Sequence, residues 1–135
     1  KLLTSQTSSN TGSNITFHTN FNGARLPKNI EIGLYRIAQE GIHNALKYAQ
    51  ADRIAVELVT KKKYIHLTIA DNGKGFVYGE EKSVAHLGLN NMQERSHMLN
   101  GSMKIHSEPG KGTRIHIKLP VIYLEYEQNH SVISR

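Results

Sequence analysis

The sequence has no cysteine. Disulfides and thiolate-held metals are therefore excluded, and a cytosolic address is allowed. No apolar run approaches the roughly 18 residues that cross a bilayer as a helix. The opening Lys1-Leu2-Leu3-Thr4-Ser5 lacks the long apolar stretch of a secretory signal. No internal repeat is present. Acidic residues are the minority, 11 against 17 lysines and arginines, for a net charge of +6. Such a balance suits an anionic partner: nucleic acid, a membrane surface or a nucleotide phosphate. No basic helix with interleaved aromatics accompanies it, so a nucleic-acid module has only the charge in its favour. The one basic run, Lys61-Lys62-Lys63, falls between two strand-like segments and reads as a solvated turn.

What is present describes one soluble domain. A chain of 135 residues buries roughly two-thirds of its unfolded surface. Hydrophobic residues at 38% and charged residues at 21% are ordinary for a globular protein and too apolar for a disordered one.

Residues 1–14 are rich in Ser, Thr, Asn and Gln and read as a linker-like lead-in. Ile15 to Phe21 alternates, which predicts a strand. From Asn29 to Gln50 the period becomes helical, with Ile30, Leu34, Ile37, Ala38, Ala45 and Ala49 on one stripe behind Pro27. Ile54-Val56-Leu58 and Ile65-Leu67-Ile69 predict a hairpin. Residues 77–86 read as a mobile loop. Gly88 to Leu99 predicts a second helix stopped by Asn100-Gly101. Met103-Ile105 and Ile115-Ile117-Leu119 predict a second hairpin, and residues 121–135 a tail without pattern. Hairpins make antiparallel pairs, so a doubly wound parallel sheet is excluded. The expected fold is α/β: a two-layer sandwich, its mixed, mostly antiparallel five-stranded sheet covered by two helices on one face. The expected domain is residues 15–120.

Four polar clusters carry candidate chemistry. Glu40, Asn44 and Lys47 recur at helical spacing on a face expected to point away from the apolar stripe. They offer a base, a neutral oxygen ligand for a hard cation and a phosphate partner. Read alone, they are equally a solvated helix face. Asp71-Asn72-Gly73-Lys74-Gly75-Phe76 ends a strand, where a carboxylate can accept from an exocyclic amine and glycines let backbone approach a ligand. Read alone, it is also a plain turn. Gly88 at the start of a helix would leave backbone N–H groups for phosphate. Gly110-Lys111-Gly112-Thr113 fits a hairpin turn. Among the eight histidines, His18, His66, His106 and His116 alternate with apolar residues on strands and are expected on the polar side. No histidine has a second ligand at metal spacing, so no transition-metal site is expected.

In their order and spacing these clusters resemble one family. Residues Glu40 to Ala49, with Glu40-Gly41-Ile42-His43-Asn44, resemble the N box of the GHKL ATPase and kinase superfamily. Asp71 to Phe76 resembles its G1 box. Gly88-Leu89-Asn90-Asn91-Met92-Gln93-Glu94-Arg95 resembles its G2 box, in the form found in sensor histidine kinases paired with NarL-type response regulators. Glu108 to Thr113 resembles its closing glycine–threonine segment. Where the family reads Gly-x-Gly-Leu, this chain has His86-Leu87-Gly88-Leu89, which costs backbone freedom at the end of a short lid.

The resemblance implies a Bergerat-type sandwich that binds ATP and magnesium. It implies that Asn44 ligates magnesium, that Glu40 orients or deprotonates an attacking histidine, and that Lys47 meets phosphate. Asp71 would accept from the adenine amino group, helped by Thr113 through a water. Gly73 and Gly75 would shape the adenine pocket, and Gly88 and Leu89 would bring N–H groups to phosphate. No histidine here stands in a phosphoacceptor setting, so the implied activity is the catalytic half of a histidine kinase. Its partners would be a dimerisation and phosphoacceptor domain and, through that domain, a NarL-type response regulator, without nucleic acid or direct membrane contact. The expected location is cytoplasmic, and an inner-membrane anchor in the parent protein is left open. The same residues leave open a free-standing anti-sigma-factor serine kinase or a nucleotide-binding pseudo-kinase module.

Overall fold

The computed structural model describes residues 6–8, 14–21, 26–77 and 84–120, with backbone alone at 6–8 and 84–86. Alternation builds its sheet. Ile54, Val56 and Leu58 are buried while Ala55 and Glu57 between them are exposed. Ile65, Leu67 and Ile69 are buried on the next strand, and Ile115, Ile117 and Leu119 on another. Successive strand side chains point to opposite faces, so these nine branched residues make one apolar surface. It needs a cover on that side only.

Two helices supply the cover. The elements run β1 (Gln6–Ser8), β2 (Asn14–Thr19), α1 (Lys28–Lys47), β3 (Arg53–Lys61), β4 (Tyr64–Asp71), α2 (Val84–Met98), β5 (Ser102–Glu108) and β6 (Gly112–Pro120). Ile30, Leu34, Ile37, Ala38 and Ala45 of α1 are buried against the sheet, with Leu89 and Met92 of α2 and Leu99 just beyond it. Each fully buried Ile or Leu contributes about 1.5–3 kcal/mol. The sheet order is β1-β2-β3-β4-β6-β5. Only β2 and β3 are parallel; β1–β2, β3–β4, β4–β6 and β5–β6 are antiparallel. The parallel neighbours need a crossover, and α1 is that crossover. The two-layer mixed sandwich is as expected, with one addition. Part of the lead-in read as a linker pairs on β2 as the edge strand β1. The tail from 121 onward lies outside the described residues.

The end of α2 closes as its sequence signals. Asn100 takes φ 62, its N–H donates to His97 at 2.9 Å, and the Gly101 N–H donates to Ser96 at 2.8 Å. That is the paired closure of a Schellman motif. The left-handed residue is Asn100, with Gly101 following it. The start of α2 differs from expectation. The helix begins at Val84, so Gly88 lies a full turn inside it and residues 84–86 are not loop.

No helix among the described residues is long and apolar enough to cross a membrane. The sheet face opposite the helices is open and basic. His18 and His106 are exposed there as expected. On the same face, β4 and β6 bring His66 Nδ1 within 2.8 Å of His116 Nε2, with the rings 12° from parallel. One nitrogen carries the hydrogen and the other receives it, so the accepting ring is neutral. Burial lowers the pKa of His66 below 6.5, with Lys118 and Lys61 adding to it. Burial also lowers that of His116, with His66, Lys104, Lys118 and Arg114 adding to it. No group of three metal-ligating side chains forms among the described residues.

The folded state thus binds fewer protons at this pair than the unfolded chain does just below pH 6.5. Stability therefore falls as the pH drops through 6.5 towards the lowered folded values. The urea midpoint is expected to decline over that range, and to decline less in His66→Gln/His116→Gln. An unchanged slope in the double variant would place the acid sensitivity elsewhere.

Candidate functional site

The site lies where the C-terminal half of α1, the start of α2 and the β4 and β6 ends meet. Helix α2 runs back along α1: Gly33 faces Leu99, Gly41 faces Met92, and Gly88 faces Glu40 and Asn44. The polar face of α1 is therefore not a solvated one. Glu40 and Asn44 are half-buried beneath α2, whereas Lys47, in the last turn, is exposed with its Nζ 5.9 Å from the Tyr48 ring centre. A Cβ on Gly88 would collide with Glu40 Oε2 and press on Asn44 Nδ2. The absence of a side chain is what lets the two helices close there.

A small cavity of about 70 Å³ opens on the sheet side of this seam. Asn44, Asp71, Gly75, Leu89 and Thr113 line it, together with Gly41, Ala45, Tyr48, Ala49, Lys74, Phe76 and Ile115. The walls are mostly apolar with a few polar groups, as in small-molecule sites generally. Of the residues singled out in the sequence, Glu40, Lys47, Gly73 and Gly88 do not line this cavity. Glu40 instead faces a second groove between the helices, lined by Arg36, Gln39, His43, Asn91, Met92 and Arg95.

Asp71 is the polar anchor. It ends β4 opposite Thr113 and accepts from the Gly73 N–H at 2.8 Å. Burial pushes its carboxyl above the usual 3.8, while N–H groups of Gly73 and Thr113 pull the other way. Gly73 is buried, and its N–H holds Asp71 in place. The next loop is bolted on both sides. Lys74 N–H donates to Ala49 at 3.0 Å, and Gly110 N–H donates to the Lys74 carbonyl at 2.6 Å. Gly75 adopts φ 65 directly against the Glu108 carbonyl, and Gly112 adopts φ 85 against the Asp71 carbonyl. No side chain fits either position. Asn72 is structural: its Oδ1 accepts from Asp52 and Arg53 N–H at 2.9 and 2.8 Å.

Ser107 is a site residue the sequence did not single out. Its Oγ accepts from the Phe76 N–H at 3.0 Å, reaches the Gly112 carbonyl at 3.2 Å and lies 2.8 Å from Thr113 Oγ1. One arrangement satisfies all three: Ser107 donates to Gly112, and Thr113 donates to Ser107. Thr113 Oγ1 then keeps lone pairs for the cavity, beside the acceptor-only carboxylate of Asp71. The cavity floor is built to receive donors. Ser107 faces the helices on a strand whose exposed neighbours alternate with it, and that alternation is its only sequence signal.

Residues 29–122 match the family model described as histidine kinase-, DNA gyrase B- and HSP90-like ATPase. That is more than half the chain. The chain belongs to this ATPase family. An ATPase domain of this kind accounts for an acceptor-lined cavity beside a basic, polar helix edge. The domain is 38% identical over 112 residues to the oxygen sensor histidine kinase NreB of Staphylococcus carnosus, covering 83% of this chain and 32% of that protein. It is 43% identical over 99 residues to the signal transduction histidine-protein kinase/phosphatase DegS of Bacillus subtilis, covering 72% and 26%. It spans about a third or less of these relatives. The solved ATP binding domain of PrrB from Mycobacterium tuberculosis superposes with a TM-score of 0.60 at 23% identity, over 78% of each chain. The Bergerat-type sandwich expected from the four motifs is thereby the fold of this ATPase domain.

The phosphate cradle is the point where geometry and motif differ. The N–H groups of Gly88 and Leu89 were expected to open a helix. They lie inside α2, where each bonds the carbonyl four residues back. The extra turn, 84–87, is what takes them. Presenting them to a phosphate requires that turn to unwind.

Proposed function

We propose that this ATPase domain is the catalytic part of a two-component sensor histidine kinase. It would transfer the γ-phosphate of ATP to a histidine carried by a dimerisation and phosphoacceptor domain of its parent. The observation that carries the reading is Glu40 at the seam between two openings: the acceptor-lined cavity with Asp71 and Thr113, and the groove on the other side. In this reading the adenine base enters the first, and a protein imidazole reaches Glu40 through the second.

In this reading Asp71 accepts from the adenine amino group, with Thr113 Oγ1 as a second acceptor, direct or through water. Gly73 holds the Asp71 carboxylate, and Gly75 lets the loop close on the base. Asn44 and Glu40 are oxygen donors, which suits a hard cation, and Asn44 is the magnesium ligand. Magnesium held there supplies charge neutralisation on the phosphates. Lys47, long and exposed, reaches phosphate from the helix end. Gly88 and Leu89 add N–H groups once the first turn of α2 has opened. Glu40 orients the incoming imidazole and takes its proton. Such transfer depends on positioning and charge stabilisation, which these residues provide. The response regulator that receives the phosphoryl group from the parent is of the NarL type, as the Met92-Gln93-Glu94-Arg95 form of the motif suggests.

Calorimetry of the chain with ATP is expected to give binding that needs magnesium and weakens strongly in Asn44→Ala. Labelled phosphate should pass to a separately supplied histidine-bearing segment of the parent and not accumulate on this chain. Magnesium-independent binding would remove Asn44 from the metal. Stable labelling of an internal histidine would overturn the division of labour.

A further inference from the structure

A serine hydroxyl has one hydrogen to give and lone pairs to receive others, so its partners can fix where that hydrogen points. Ser107 is such a case. Register places Ser107, Thr113 and Asp71 in one row across β5, β6 and β4. Thr113 and Asp71 line the cavity, whereas Ser107 stands one strand behind them and does not. Two of its partners leave no choice of direction. The Phe76 N–H can only donate, and at 3.0 Å it takes a lone pair of Ser107 Oγ. The Gly112 carbonyl can only accept, and at 3.2 Å it takes the Ser107 hydrogen. The 2.8 Å contact to Thr113 Oγ1 is therefore made with the Thr113 hydrogen. Both deciding partners are themselves held. Gly112 is fixed at φ 85 against the Asp71 carbonyl, and Phe76 packs on the core. Towards the cavity, Thr113 Oγ1 presents lone pairs alone.

A threonine left to itself would discriminate little. It can turn its lone pairs towards an amine or its hydrogen towards an oxo group. With its hydrogen drawn back to Ser107 it can do only the first. The purine 6 position presents this choice: adenine carries an amino group there, hypoxanthine and guanine an oxygen. An amino group offers hydrogens to Asp71 and Thr113 alike. An oxo group meets two acceptors and finds no donor, and acceptors left facing one another in a buried site are costly. We infer that Ser107 is a specificity-determining residue, which selects 6-amino over 6-oxo purine nucleotides by holding the Thr113 hydroxyl as an acceptor. Ser107 acts through Thr113 and is a positioning residue. The inference rests on the reading of this cavity as the adenine site and assigns the choice of base to a side chain outside the cavity.

The probes are ATP and ITP, which differ only at the purine 6 position and the N1 hydrogen that goes with it. Each is titrated with magnesium into the full chain and read by calorimetry. The native chain should prefer ATP; equal affinities overturn the inference. In Ser107→Ala the Thr113 hydrogen is free to turn into the cavity. ATP should then weaken about three- to tenfold while ITP holds or gains, so that the preference narrows by about tenfold, the worth of roughly one hydrogen bond. An equal loss for both nucleotides means that Ser107 only props the Phe76 loop, and overturns the inference. Thr113→Val removes the hydroxyl through which Ser107 acts. In that background Ser107→Ala should leave the ATP-to-ITP ratio unchanged, and further narrowing overturns the inference. Ser107→Thr keeps a hydroxyl and should keep the native ratio; a ratio lost as in Ser107→Ala assigns the effect to packing and overturns it too. All these readings are equilibrium binding and need no phosphoacceptor. A ratio that responds to Ser107 in a chain that transfers no phosphate sinks the kinase reading and leaves Ser107 in its role. Transfer from ATP with a ratio blind to Ser107 does the reverse, and failure to bind either nucleotide overturns both.

Discussion

Glu40→Gln is expected to bind ATP almost as the native chain does and to transfer phosphate about 10²–10⁴-fold more slowly, the usual worth of general-base assistance. In the transfer, an imidazole nitrogen attacks the γ-phosphorus, a nitrogen–phosphorus bond forms, and the bond to the β–γ bridging oxygen breaks as ADP leaves. The proton on the other ring nitrogen must go somewhere. Glu40 faces the groove between the helices, and it is absent from the walls of the cavity that holds Asp71 and Thr113. Glutamine keeps the length and one carbonyl acceptor, so it still orients the ring, but it takes no proton. Glu40→Ala loses both functions and should be slower again. The readouts are ATP affinity by calorimetry and the single-turnover rate to a supplied histidine-bearing segment. Transfer by Glu40→Gln at the native rate would make Glu40 a packing residue under Gly88 and place the base elsewhere.

The seam beside Glu40 also shows where sequence patterns stop being informative. Strand identities were legible because the alternating Ile, Leu and Val residues have one burial solution. The stop of α2 was legible because Asn100 is one of the few residue types that tolerate its φ of 62. The start of α2 was not. Leu89 and Met92 set a helical phase, and a phase does not say where the first turn lies. The placement of Glu40 was misjudged for a related reason. A helical wheel puts it off the apolar stripe, but a second helix with a glycine at position 88 covers it. His66 and His116 are 50 residues apart in sequence and meet only through the register of β4 on β6. Arg36 and Arg95 share a groove only because α2 folds back along α1. In each case what was missing is a pairing between elements, which no local period encodes.

Asp71→Asn is expected to lower ATP affinity about ten- to a hundredfold, since a hydrogen bond to a charged acceptor contributes roughly 1.5–3 kcal/mol. The native carboxylate offers only acceptors. It already receives the Gly73 N–H at 2.8 Å and is held by Thr113 as well. Asparagine must divide its amide between an oxygen and an NH₂. If the oxygen keeps Gly73, the NH₂ turns towards another donor, either the Thr113 N–H or the adenine amino group. Two donors then face each other in a half-buried site, and one goes unsatisfied. The same reversal makes a distinct change in selectivity. Guanine carries a carbonyl where adenine carries its amine, so an NH₂ at position 71 suits GTP better than the carboxylate does. The preference for ATP over GTP should therefore narrow from both sides. The pH dependence provides a further check. Burial raises the Asp71 pKa above 3.8, and protonation turns one of its oxygens into a donor. Native ATP affinity should fall as the pH drops through that raised value, whereas Asp71→Asn, which does not titrate, should stay level over the same range. Calorimetry at several pH values reads all three effects. Equal ATP affinity in the two proteins, or parallel pH profiles, would move the adenine amino group away from Asp71 and leave Thr113 Oγ1 as the acceptor that fixes the base.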